Sequence, residues 1–388
     1  MKAFPEIKLD LLIDYVVDNR GKNPAYYCDE GIPVIDNFQI TGKRHINLKE
    51  SKRFIDEKVY DEFLRKYLIE NDLLLTLVGN GYGSVSLAPK QKSVIIQNTI
   101  GIRCNEKCLN EFLFYYFSKN KHKILELNRG AAQPSVKVSD VKGILVSLPP
   151  LTQQKTIVSI LSNYDELIFN NEQRIKILEE MAQAIYIEWF VNFRFPGHEN
   201  VKLVDSKTDF GEIPEGWKIM KVEDLLERIQ SGKKYDNKTV VNHGVVPVLD
   251  QGKKGTIGYH NDEPGVVASK EQPIIVFANH TCYQNLIMYS FSTIQNVLPF
   301  LPTENRNIYW LHWATKDLIK FNDYKGHWPE FTSKKSLVPT AELTNKFGDL
   351  ISPMVKLKYD LERQNKVLTE TRDLLIPKLV TGEIEIKA

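Results

Sequence analysis

The stretch Ile157-Val-Ser-Ile-Leu161-Ser-Asn-Tyr164-Asp-Glu-Leu-Ile168-Phe-Asn-Asn171-Glu-Gln-Arg-Ile175-Lys-Ile-Leu178-Glu-Glu-Met-Ala182-Gln-Ala-Ile185-Tyr-Ile-Glu-Trp189 decides the architecture. Its apolar residues fall at alternating steps of four and three: Ile157, Leu161, Tyr164, Ile168, then Ile175, Leu178, Ala182, Ile185 and Trp189. Asn171 alone breaks the seam. This spacing predicts a helix that buries one stripe against a second helix, with the polar seam residue fixing register. Leu148-Pro-Pro-Leu-Thr-Gln-Gln puts prolines ahead of the first turn and Thr152 at the N-cap. Roughly 35 helical residues at 1.5 Å each make a rod of about 52 Å.

Working outward, the same segment recurs downstream. At a constant offset of 190, Glu172, Lys176, Leu178 and Glu180 answer Glu362, Lys366, Leu368 and Glu370. Phe347, Ile351, Met354, Leu361, Leu368, Leu375 and Leu379 hold the second seam, with Lys358, Asn365 and Arg372 at matching positions. Pro353 predicts a kink or a new turn there, and Pro377 an end. The natural partner of this helix is the first one, antiparallel; the bland alternative is two helices each packed on its own domain. Upstream the echo drifts. Pro33-Val34-Ile35-Asp36 answers Pro247-Val248-Leu249-Asp250, Gly21-Lys22 answers Gly232-Lys233, Gly42-Lys43 answers Gly252-Lys253, and Gln97-Asn98 answers Gln295-Asn296. Each half is therefore a globular unit that tolerates insertions, followed by a segment that tolerates none. A period this long excludes a solenoid.

Bulk properties fit that reading. A chain of 388 residues holds two or more domains with cores of their own. Hydrophobic residues make up 42% and charged residues 26%, as in an ordinary soluble protein. No apolar run approaches the ~18 residues of a membrane span, and Met-Lys-Ala-Phe-Pro-Glu lacks a signal peptide, so a cytoplasmic location is expected. Cys28, Cys104, Cys108 and Cys282 form no disulfide ladder, and no second Cys or His pair completes a zinc site, so reduced thiols and no metal are expected. Net charge is +2, which neither demands nor forbids nucleic acid. Residues 1–150 carry 22 Lys and Arg against 18 Asp and Glu, whereas residues 151–200 carry 4 against 7. Any DNA contact belongs on the globular units.

Those units, 1–148 and about 212–338, read as mixed and mainly β. Leu73–Val78, Ser93–Ile102, Gly143–Leu148, Ile274–Ala278 and Asn285–Phe291 are expected strands, and Glu111–Leu127 and Asn307–Ile319 expected helices. Between them lie loops rich in Gly, Lys, Asn and aromatics, such as Thr41-Gly42-Lys43-Arg44-His45, Asp250-Gln251-Gly252-Lys253-Lys254, Asn279-His280-Thr281 and Tyr324-Lys325-Gly326-His327-Trp328. Lys and Arg suit phosphates or guanine, and Asn and Gln suit adenine. Gly79, Gly81 and Gly83 do not have the spacing of a phosphate cradle and read as a strand-end turn. No methyltransferase, helicase or nuclease motif is present, which points to an adaptor without turnover of its own.

Together these residues resemble the specificity subunit of type I restriction–modification systems. The resemblance rests on Leu148-Pro-Pro-Leu-Thr-Gln-Gln-Lys155 opening the first helix and Ile185-Tyr-Ile-Glu-Trp-Phe-Val-Asn-Phe193 closing it. Phe195-Pro-Gly197, Gly211-Glu-Ile-Pro-Glu-Gly-Trp217 and Arg372-Asp-Leu-Leu-Ile-Pro-Lys-Leu-Val-Thr-Gly-Glu-Ile384 complete it. At the start of the chain the Ile-Pro-x-Gly-Trp entry is reduced to Phe4-Pro5-Glu6-Ile7. The resemblance implies an α+β fold. Two mainly β target-recognition domains with pseudo-two-fold symmetry would be separated by a long antiparallel two-helix coiled coil. The expected domains are 1–148 and 216–338, with a first spacer helix at 149–192, a linker at 193–215, a second spacer helix at 339–380 and a tail at 381–388. The coiled-coil seam would comprise Ile157, Leu161, Tyr164, Ile168, Asn171, Ile175, Leu178, Ile185, Leu361, Leu368 and Leu375.

The resemblance also implies partners. Double-stranded DNA would be read as a bipartite target, and the unlike loops of the two units point to an asymmetric one. Two modification subunits carrying S-adenosylmethionine would dock along the helices, with Glu166, Glu172, Glu179 and Glu188 on the outward face as one possible docking strip. Restriction subunits using ATP and Mg would join them; this chain would hold no cofactor or catalytic residue. Candidate DNA contacts are Lys22, Lys43, Arg44, Tyr82, Asn98, Arg129 and Gln133 in the first unit. In the second they are Lys233, Lys234, Gln251, Lys253, Lys254, His280, Lys325, His327 and Trp328. The rivals are a protein-binding scaffold with two β-rich modules and an enzyme with an unrecognised site. If the helices set the gap between half-sites, inserting or deleting a heptad within residues 157–185 changes the spacer and leaves both half-sites intact. Sequencing of methylated sites checks this, and an unchanged spacer refutes it.

Overall fold

The computed structural model describes residues 4–21, 23–79, 81–128, 135–252, 255–323 and 325–384. The chain divides into two compact units, Met1–Glu172 with Arg363–Ala388, and Gln173–Glu362.

The first unit is built on a four-stranded antiparallel sheet in the order Ile13–Val17, Thr99–Cys104, Leu73–Thr76, Val85–Leu87. All four residues of the interior strand Leu73–Thr76 are buried. A strand covered on both faces reads as a continuous apolar run rather than an alternation, which is why Leu73–Val78 was legible. The expected strand Ser93–Ile102 begins only at Thr99, because Asn98 turns left-handed (φ 61°). Helix Asn110–Lys119 buries Phe112 to Phe117. The expected helix Glu111–Leu127 breaks at Asn120, whose N–H and Nδ2 both donate to the Tyr116 carbonyl at 2.9 Å, and resumes as Lys121–Leu125. Glu6–Lys8 pairs with Leu145–Ser147, joining the beginning of the unit to its end.

Helix Leu151–Tyr186 starts one residue before Thr152, so Thr152 lies inside the first turn and is not its cap. Gln154 does the anchoring. Fully buried, it accepts from the Leu109 N–H and donates to the Lys107 and Pro149 carbonyls, each at 2.9 Å. Ile157 and Leu161 then enter the core beside Leu375, Ile376, Leu379 and Val380 from the end of helix Ala341–Val380, so the two segments run antiparallel in this unit. That second helix is continuous through Pro353 and ends at Val380, three residues beyond the end expected at Pro377. The seam also shifts. Tyr164 is half-exposed, and Asp165 is buried in its place, accepting from Tyr115 Oη at 2.5 Å and Arg372 Nη1 at 2.6 Å. Ile168 and Asn171 are buried as expected. Asn171 Nδ2 donates to Gln364 Oε1 and Asn365 Oδ1 at 2.9 Å, and Asn365 Nδ2 donates to the Ile168 carbonyl at 3.2 Å.

The second unit repeats the plan. Its four-stranded antiparallel sheet runs Leu226–Arg228, Val297–Pro302, Ile274–Ala278, Gln284–Ile287, the same order and sense as in the first. Lys218–Lys221 pairs with Lys335–Val338 as Glu6–Lys8 does with Leu145–Ser147. The expected strand Asn285–Phe291 is Gln284–Ile287, and the expected helix Asn307–Ile319 is Ile308–Thr315. Thr344, 190 residues after Gln154, is also fully buried, and its Oγ1 accepts from the Asn307 N–H at 3.2 Å. Leu109 and Asn307 hold the same place, immediately before a short helix. Gly348 allows this approach, since a Cβ there would overlap the Asn307 amide.

Within this unit Ala182 and Ile185 join the core with Phe347 and Ile351, while Ile175 and Leu178 are half-buried. Leu361 is buried and Leu368, of the first unit, half-buried. Lys358 Nζ meets Glu179 at 2.6 Å and Glu362 at 3.5 Å. The stretch read as a linker is structured: Leu203–Asp205 pairs with Glu212–Pro214, and Phe193 and Phe195 pack on Trp217 with centroids 5.4 and 5.6 Å apart.

Two stability tests follow from this packing. Removing one partner of a buried ion pair strands the other. Asp165→Ala should therefore cost about 3 kcal/mol in chemical denaturation, and Asp165→Leu combined with Arg372→Met should recover most of it. Next to the second sheet, burial and the Lys316 and Lys358 charges push His312 down to about 3, and its Nδ1 faces the Gln284 amide at 3.2 Å. A depressed folded-state value leaves the His312 contribution whole above its unfolded value of about 6.5. It is lost as pH falls from there toward 3, so His312→Asn should flatten the stability profile in that window.

Candidate nucleic-acid interface

In the first unit four loops meet at the C-terminal end of strand Leu73–Thr76. Leu77 N–H donates to the Asn98 carbonyl at 2.7 Å, and the Leu77 carbonyl accepts from Val136 N–H at 3.0 Å. Asn37 Nδ2 donates to the Val78 carbonyl at 2.9 Å, while its Oδ1 accepts from Thr99 Oγ1 at 3.2 Å. Gly79, Gly81 and Gly83 all have positive φ (85°, 86° and 76°), which makes the following loop the tight turn their spacing suggested. Lys121 Nζ donates to Ser84 Oγ at 2.9 Å across it.

The second unit has the same frame. Asn279 N–H donates to the Asn296 carbonyl and the Asn279 carbonyl accepts from His327 N–H, both at 2.9 Å. Asn296 is left-handed, as Asn98 is (φ 68°). Gln251 Oε1 accepts from His280 N–H at 2.9 Å, Asn279 Oδ1 accepts from Trp328 N–H at 2.7 Å, and His280 Nδ1 lies 2.9 Å from the Lys325 carbonyl. A carbonyl oxygen only accepts, so that nitrogen carries the proton.

These frames sort the candidate residues. Asn98, Gln251, His280 and Lys325 lie on them. Tyr82 lies within that turn but is partly buried against the core. Lys233 is exposed and pairs with Asp262 at 3.0 Å, which holds the Asp262 carboxyl below its usual range. Lys234 Nζ donates to Thr293 Oγ1 at 2.8 Å and also to Ser231 Oγ; burial first, and then repulsion from Arg228, hold it below the ordinary lysine range. Lys22, Arg129, Gln133, Lys253 and Lys254 lie outside the described residues.

Four candidates turn their side chains elsewhere, although the His327 and Trp328 backbones are tied to Asn279. Leu87 N–H donates to the Arg44 carbonyl at 3.1 Å, and Leu87 pairs with Leu73 at the opposite end of the sheet. There Lys43 Nζ meets Glu172 at 2.6 Å, and the largely buried Arg44 lies 3.7 Å from Glu166, beside His45 at 3.0 Å from the same carboxylate. The loop 41–45 therefore faces the long helix. His327 is fully buried, with Nε2 3.0 Å from the Asp323 carbonyl, and has no surface for a base. Trp328 packs among Phe277, Phe300 and Phe331, with Arg228 5.5 Å from its ring centroid.

The acidic strip is likewise engaged: Glu166 and Glu172 by the loop 41–45, Glu179 by Lys358, and Glu188 by Arg194 at 3.3 Å. All four carboxylates nonetheless keep between 39% and 49% of their side-chain surface exposed. Asn37 was missed, although the Pro33–Asp36 echo stops one residue short of it and of its counterpart Gln251; Asn279 lay in a loop that the sequence singled out but was not among the candidate contacts.

Comparison with known proteins bears on this repeated frame. Residues 29–180 match the family described as type I restriction modification DNA specificity domain. The type I restriction enzyme MjaIX specificity subunit of Methanocaldococcus jannaschii is 24% identical over 93% of this chain and 88% of its own length. Over most of its length the chain is thus similar to type I specificity subunits. The MjaVIII specificity subunit of the same organism is 26% identical over 60% of this chain and 52% of its own. A crystal structure of the type I restriction–modification S subunit from M. genitalium, 16% identical, shares the fold with a TM-score of 0.64, covering 97% of this chain and 96% of that one. Among the described residues, no helix is long and apolar enough to cross a membrane.

Proposed function

We propose that this chain is a specificity subunit that recognises a bipartite, asymmetric DNA sequence, one half by each unit, and brings modification and restriction subunits to it without catalysing a step itself. The observation that carries the reading is the repeated frame. Twice, at the same end of the same sheet, four loops are tied into one surface, and the side chains they present differ. Two modification subunits and the restriction subunits are the partners. S-adenosylmethionine would act on the former, and ATP and magnesium on the latter.

Phosphate neutralisation releases counterions, so affinity for a duplex carrying the target should fall linearly with salt on logarithmic axes. Titration of a labelled duplex between 50 and 200 mM salt should show a loss of at least tenfold, the size that several phosphate contacts give. A flat profile would favour a protein-binding scaffold. Incubating the purified chain alone with DNA and magnesium should leave the DNA intact, and cleavage would favour an enzyme.

A further inference from the structure

We propose that Asn37 and Asn279 are paired positioning residues, each presetting the reading surface of its own unit without itself reading a base. The proposal rests on the function argued above and adds to it which residues hold each surface in shape. An asparagine reads adenine by offering its oxygen and its amide together. Asn37 has both ends committed, Nδ2 to the Val78 carbonyl and Oδ1 to Thr99 Oγ1. Asn279 Oδ1 is held by Trp328 N–H, and Nδ2 lies 3.1 Å from where a Cβ on Gly326 would stand, so the amide is pressed under the 325–328 loop.

Their places in the fold explain the pairing. Asn37 ties the loop after Ile35 to the strand-end turn, and in the second unit Gln251 makes that connection through His280. Asn279 ties the strand end to the last loop, with its backbone bonding Asn296 and His327 and its side chain bonding Trp328. Where the first unit has Leu77, an identical pair of backbone bonds carries no polar side chain. Each unit therefore has one asparagine whose removal lets a loop swing while leaving the sheet below it hydrogen-bonded.

The test uses the full chain assembled with its modification subunits in a host free of adenine methylation, with modified sites mapped by sequencing genomic DNA. Asn37→Ala should lower discrimination about tenfold in one half-site only, the size of one lost hydrogen bond at its upper range. Asn279→Ala should do the same in the other half alone. Asn279→Asp keeps the acceptor for Trp328 N–H and should preserve the motif. In each variant the untouched half-site reports folding and assembly. If Asn279→Ala fails to assemble, Gly326→Ala crowds the same amide and should relax the same half. The proposal is overturned if either alanine variant keeps both half-sites, if the two variants relax the same positions, or if Asn279→Asp loses as much as alanine. A wild-type chain that directs methylation to no defined sequence would instead sink the reading of function.

Discussion

The buried amide contact of Asn171 with Gln364 and Asn365 fixes how the two helix segments of the first unit meet. A purely apolar seam can slide by a heptad at little cost, whereas a displaced polar side chain is left unbonded in apolar surroundings. Lys358, Asn365 and Arg372 recur every seven residues on the second helix and meet three different groups: Glu179, Asn171 and Asp165. A slip of one heptad would set the Arg372 guanidinium near an amide and leave Asp165 without its counter-charge. Register is specified by chemistry that cannot be permuted.

The two units share a backbone scheme but not the side chains that complete it. Gln154 and Thr344 perform the same anchoring with an amide and a hydroxyl. Asn37 and Gln251 tie the same two loops through opposite ends of their amides. Main-chain bonds such as those of Leu77 and Asn279 hold the geometry, so the loop sequences are free to diverge. That freedom would suit the proposed reading of a different half-site by each unit.

Much of this was legible in the chain because it follows from periodicity. The helices and Asn171 in the seam come from apolar spacing, strand Ile274–Ala278 from a continuous apolar run, and the antiparallel pairing from the repeat that sets each helix after a similar domain. What escaped was direction. Tyr164 and Asp165 are adjacent, and only the Tyr115 and Arg372 partners decide which of them turns inward. Arg44 and His327 belong to residue types expected at DNA, yet one faces a helix and the other is sealed in the core. Pro353 was read as a kink or a new turn, and the helix runs on through it with the proline on its exposed side. Asn37 and Asn279 carry no signal beyond their type, because their importance lies in contacts made across the fold.

The ion pairs formed by loop 41–45 also shape the electric field around the first unit. A bare carboxylate on the helix would repel a polyanion over a distance set by the ionic atmosphere. Matched at 2.6 Å by Lys43, Glu172 becomes half of a dipole, whose potential decays faster than that of a lone charge. The most acidic segment of the chain is thereby partly neutralised from within, which lowers the barrier its composition alone would set to an approaching polyanion.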